Sequence, residues 1–80
     1  MRTTWRVSGP HGERRARSWP AAIDFLLQDV ASALKESCCE AYEDMAWGLV
    51  SPFAEVREPF TIDVDARLHT VDRVVASTGT

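Results

Sequence analysis

Lysine is nearly missing from this chain: Lys35 stands alone against eight arginines. Cysteine is confined to one adjacent pair, Cys38 and Cys39, and histidine to His11 and His69. No apolar run exceeds three residues, as at Phe25-Leu26-Leu27. Each shortage removes a class of protein. Side chains of adjacent cysteines point apart on a helix or strand and do not easily bridge, so a disulfide framework is excluded. Without CxxC spacing or nearby histidines the pair is not a zinc site either. Reduced thiols, a cytoplasmic location and no metal or cofactor are therefore expected. A bilayer requires about 20 consecutive apolar residues, so no segment of this chain is expected to span one. Met1-Arg2-Thr3-Thr4-Trp5-Arg6 carries charge but leads into no apolar stretch, and does not read as a signal peptide. The one glycine-rich turn, Gly9-Pro10-His11-Gly12, contains proline and precedes no helix, so it is not a phosphate-cradling loop.

What remains is an ordinary folded composition. The chain has 80 residues, of which 45% are apolar and 26% charged, values that argue against disorder. A chain of this length is one domain, read here as residues 1–75 followed by a small polar tail, 76–80. It buries only about 60–65% of its unfolded surface. That leaves no room for two catalytic lobes or for a nucleotide-binding unit with a separate substrate domain. The net charge of −3 favours neither bulk nucleic-acid binding nor membrane adsorption. Its distribution is uneven. Residues 1–19 hold five arginines against Glu13, whereas residues 20–50 hold six acids against Lys35.

Residues 3–8 alternate, with Trp5 and Val7 on one side and Thr4 and Arg6 on the other, as a half-buried strand does. The turn at residues 9–12 returns a second strand over 13–18. The register that follows pairs Ser8 with Glu13, Val7 with Arg14, Arg6 with Arg15 and Trp5 with Ala16. Ser18-Trp19-Pro20 is a helix start, because proline is tolerated in the first turn. Ile23, Leu27, Val30, Leu34, Cys38, Ala41 and Met45 then recur at spacings of three and four and form one stripe of an α-helix. A continuous helix to Trp47 would be about 40 Å long. A break near residues 37–39, three mediocre helix formers, is the competing reading. Gly48 is a natural terminator, and residues 49–59 read as a connector. Phe60, Ile62 and Val64 alternate with Thr61, Asp63 and Asp65 in a third strand, and residues 68–75 form a fourth. The expected fold class is α+β: hairpin, long amphipathic helix, hairpin, with the helix on one face of an antiparallel sheet.

No nucleophile and base can be paired from these residues. A reactive thiol needs a cationic setting, and the helix around Cys38 and Cys39 is acidic, so these cysteines read as small core hydrophobes. Asp63-Val64-Asp65 has the alternate carboxylates of a calcium loop but lacks its glycine and distal glutamate. Two charged surfaces are left. Arg6, Arg15 and Arg17, joined by Arg2, share the outer face of the first hairpin. Opposed Arg6 and Arg15 repel, so an anion belongs nearby: Asp63 and Asp65 of the third strand, or a phosphate. Trp5 and Trp19 flank these arginines and could offer a stacking platform. The second surface comprises Asp29, Glu36, Glu40, Glu43 and Asp44, which lie opposite the apolar stripe with Trp47 beside them. It is a solvated helix face or a docking face for a basic groove.

The expected function is a small non-enzymatic protein, of the accessory or inhibitor type that phages and mobile elements encode. It would bind a basic partner surface through Asp29, Glu36, Glu40, Glu43, Asp44 and Trp47. A nucleic-acid-binding module using Arg2, Arg6, Arg15 and Arg17 is the alternative. A homodimer is compatible with both.

Overall fold

The alternation of Trp5 and Val7 with polar neighbours builds the first strand, β1 (Thr3–Gly9), and the chain returns as β2 (Gly12–Ala16). The computed structural model describes residues 3–37 and 40–75. Its hairpin has the expected register, Arg6 opposite Arg15 and Val7 opposite Arg14, and runs one step further to Gly9 opposite Gly12. Pro10 presets the corner, and Gly12 takes a φ of +119°, which a side chain would resist. The second strand stops at Ala16 rather than continuing to residue 18. Ser18 leaves the sheet to cap the next element: its Oγ accepts the Ala21 N–H at 3.2 Å.

That element is α1 (Trp19–Glu36), with Pro20 in its first turn. It ends at Ser37, whose N–H donates to the Ala33 and Leu34 carbonyls. A second helix, α2 (Tyr42–Ala54), follows, so residues 20–47 form two helices and not one. The break resets the helical phase. Ile23 and Val30 are buried, Leu27 and Leu34 are half-buried, and Ala41 and Met45 are exposed. Cys38 and Cys39 lie outside the described residues. The second helix instead buries Ala46 and Val50. Gly48 does not end it, and residues 49–54 are helix rather than connector. Pro52 removes one backbone bond, but burial of Val50 and the stacking of Phe53 on Phe60 at 4.4 Å hold the last turn in place. Trp19 Nε1 donates to the Ala54 carbonyl at 2.6 Å and satisfies one of the orphan acceptors at the helix end.

The chain closes with β3 (Phe60–Val64) and β4 (Arg67–Val75). They are joined by Asp65 and Ala66, both with positive φ, as a two-residue hairpin turn requires. The four strands form one antiparallel sheet in the order β2-β1-β4-β3. The first helix touches all four strands, and α2 packs beside it against α1 and β3. The fold is therefore α+β with its helices packed on the sheet. Trp5 meets Trp19 edge-on at 4.5 Å, and Trp19 meets Phe60 at 6.1 Å, so aromatic contacts tie β1, α1 and β3 into one core. No helix among the described residues is long and apolar enough to cross a membrane.

Candidate functional site

The strand order decides what the arginines face. On the outer face of the sheet, Arg6 lies between β2 and β4. Its Nη2 donates to Asp72 Oδ2 at 3.4 Å, and its Nε lies 3.6 Å from Glu13 Oε2. Arg6, which stands opposite Arg15, is thus balanced from within, but not by Asp63 and Asp65. Strand β4 separates β3 from β1, so β4 supplies the carboxylate. Arg15 and Arg17 are exposed and form no ion pair among the described residues. Arg2 lies outside the described residues. Trp5 and Trp19 are buried in the core and offer no stacking surface beside these arginines.

Arg14 was not among the expected site residues, and it is the most tightly held arginine. Its position opposite Val7 puts it on the helix side of β2, a placement that the hairpin register already contained. Its Nη2 lies 2.6 Å from Asp29 Oδ1 and 3.3 Å from the Phe25 carbonyl, with the guanidinium 4.6 Å from the Phe25 ring centre. His11 Nε2 lies 3.9 Å from Glu36 Oε1. These two contacts strap the first hairpin to α1 around a groove of about 460 Å³. Asp29 and Glu36, two of the five expected docking carboxylates, thus already face cationic or titratable partners.

The other three lie elsewhere. Glu40 precedes α2, and Glu43 and Asp44 occupy its first turn, where carboxylates interact favourably with the exposed N–H ends. No side chain among the described residues caps this helix, whose N-cap is Ala41. Glu40, Glu43 and Asp44 are exposed and form no ion pair among the described residues. Trp47, four residues after Glu43, shares its flank of the helix and is 51% exposed. The expected single acidic face is therefore divided, because the wheel that aligned all five carboxylates assumed one helix.

His69 is the buried polar side chain of the core. It is fully enclosed on β4, and neither ring nitrogen has a hydrogen-bond partner among the described residues. A Cβ on Gly9 would lie 3.0 Å from its Nδ1, so the glycine makes room for the ring. Burial lowers its pKa below the ordinary histidine value; Asp29 opposes that shift and His11 adds to it. Among the described residues, no group of three His, Cys, Asp or Glu side chains could hold a metal ion.

These features define a small α+β protein with a self-paired hairpin groove and one exposed, acid-flanked tryptophan on its second helix. Comparison with protein-family models, with curated proteins and with solved structures finds no match for this chain.

Proposed function

We propose that this is a small, non-enzymatic protein of the accessory or inhibitor type, which binds a basic protein surface through the N-terminal half of α2. The observation that carries the reading is the combination at that helix. Trp47 is half exposed, while Glu40, Glu43 and Asp44 beside it are free of ion pairs among the described residues. A large aromatic anchor with a charged rim is how binding energy is concentrated at protein interfaces. The carboxylates steer encounter, and the indole supplies the buried contact. Asp29 leaves the site, since its engagement with Arg14 gives it a structural role, and Glu36 lies on α1 apart from Trp47, with His11 Nε2 3.9 Å away. The cytoplasm is the proposed setting for a chain with no disulfide framework.

Nucleic-acid binding through the first hairpin receives less support. Arg6 is neutralised by Asp72 and Glu13, and the tryptophans that would stack on bases are buried. The test is affinity capture from the source cell with the wild-type chain and the Glu40→Lys/Glu43→Lys/Trp47→Ala variant side by side. These side chains are exposed, so the variant should fold. A protein with a basic surface should be retained by the wild type, elute with rising salt and be lost from the variant. Identical retention by both chains, or retention of nucleic acid alone, would remove the proposal.

A further inference from the structure

The free edge of the sheet at β2 carries an uncompensated charge. Pro10 and His11 form a two-residue loop, so Gly9 and Gly12 close the hairpin as a hydrogen-bonded pair. Val7 with Arg14 and Trp5 with Ala16 repeat that pairing at every second position. The alternate residues, Glu13 and Arg15, therefore turn their backbone N–H and C=O groups away from β1. Strand β2 ends the sheet, and no backbone bond among the described residues reaches these groups. The same two residues point their side chains to the outer face, beside Arg6. Arg6 takes Glu13 and Asp72 as its counter-ions. Arg15 is left exposed, opposite a like charge and free of any ion pair among the described residues. A charged edge ordinarily refuses a partner strand. This edge carries opposite signs at the two positions whose backbone is open, and that makes it complementary to itself.

We infer that β2 is the seam of a homodimer, in which the β2 strands of two copies pair antiparallel about a two-fold axis at Arg14 and join both sheets into one. That axis sets Glu13 against the partner's Arg15 and Arg15 against the partner's Glu13. Each is a hydrogen-bonded pair that exchanges two backbone bonds. Arg15 gains the anion that its own chain does not supply, and Glu13 lies between its own Arg6 and the partner's Arg15. Every contact is made twice, as an isologous interface requires. The two Arg14 side chains face each other on the helix side of the seam. Each guanidinium is held on its own α1, 2.6 Å from Asp29 and over the Phe25 ring, so its charge is already compensated. An axis moved to Glu13 or to Arg15 would set like charges on one another. At the other free edge, the outward backbone belongs to Thr61 and Asp63 of β3, and two-fold pairing there brings no opposite charges together. A five-residue strand gives a small seam, below roughly 1,200 Å² in total, so the dimer is weak and concentration-dependent. The second helix packs toward the opposite edge, against β3, so the inference stands independently of the site at Trp47.

Sedimentation velocity of the full chain, from about 10 μM to about 1 mM, tests this directly. The wild type should shift from monomer to dimer across that range. Glu13→Arg alone sets two cations against each other at both pairs, and Arg15→Glu alone sets two carboxylates. Each should weaken association by roughly tenfold or more. An equimolar mixture of these two variants makes both pairs attractive again, and it should dimerise at concentrations where neither variant does alone. Arg15→Pro removes an outward N–H that makes no bond within the chain, a change that edge strands tolerate. It should give a folded monomer by circular dichroism; if that variant does not fold, the mixture decides. A wild type that stays monomeric throughout would overturn the inference and leave Arg15 to solvent or to a foreign acidic strand. A mixture no more associated than its components would overturn it too, as would single variants that dimerise like the wild type.

Discussion

His69 shows what a single residue can contribute and what sequence pattern hides. Its place on the fourth strand was legible, but its face was not, because Val71, Val74 and Val75 do not alternate. The pairing of β4 with β1 decides the matter by placing Val71 on Val7, which turns His69 two residues away inward, over Gly9. The imidazole is enclosed without a partner among the described residues, and burial keeps its pKa below the ordinary value near 6.5. The native state therefore resists a proton that the unfolded chain accepts. Where the unfolded state binds more protons, stability rises with pH. Stability should accordingly fall as pH drops from about 6.5 toward the lower native pKa of His69, and this contribution should be flat above that window. Urea midpoints at a series of pH values check the sign. His69→Leu, which replaces an unpartnered polar ring with an apolar group, should flatten the slope in that window. An unchanged slope in this variant would assign the acid sensitivity to other groups. The same neighbourhood explains why Arg14 escaped notice as a site residue. A lone arginine in a charged run reads as solvated, and only the helix above it supplies Asp29 and the Phe25 ring.

At the scale of elements, the first hairpin was the most legible part. Alternation of Trp5 and Val7 with polar neighbours before a proline- and glycine-containing turn points to the register and face, although residues 13–16 carry no alternation of their own. The β3–β4 turn was placed correctly although it has no glycine; Asp65 and Ala66 accept left-handed backbone there, and Ser37 Oγ donates to Asp65 Oδ2 at 3.2 Å. The helical region was legible only as helix. Seven apolar residues at helical spacing fitted one stripe, yet the same residues serve two helices whose buried faces are out of phase. Periodicity across a short break cannot reveal a change of axis. Gly48 and Pro52 misled for a related reason, since packing on the core outweighs their poor helix propensity. Gly48 itself is exposed within α2, and a Cβ there would meet no atom within 4 Å. Gly48→Ala should therefore raise stability by about 0.5–1 kcal/mol, read as a higher urea midpoint at unchanged slope. A loss of stability would mean that the glycine has a role other than helix interior.

At the scale of the whole molecule, α+β class and the meander of two hairpins around a helical segment followed from the sequence, whereas the strand order did not. Nothing in the local pattern says that β4 inserts between β1 and β3. That order gives Arg6 its Asp72 partner and moves Asp63 and Asp65 away from the arginines. It also concentrates the core beneath α1. Leu26 is fully buried there, while Leu34 is only half-buried near the end of the helix. Leu26→Ala should cost about 2–5 kcal/mol, a large share of what a domain this small possesses. Leu34→Ala should cost less. Equal losses in thermal or urea unfolding would contradict the placement of the core. Folding divides the five acids expected on one helix face between α1 and the start of α2. Arg6 pairs internally with Asp72 and Glu13, and Asp29 with Arg14, whereas Arg15, Arg17 and the acids around Trp47 form no ion pair among the described residues.

We propose that those acids and Trp47 steer and anchor a basic protein. The most direct measurement is the association rate of the partner isolated by capture, with the wild type and with Glu40→Lys/Glu43→Lys, at several salt concentrations. The wild-type rate should fall steeply with ionic strength. The double variant should keep its melting temperature, bind roughly tenfold more weakly and show little dependence on salt. Equal rates with equal salt dependence for the two folded chains would contradict the account.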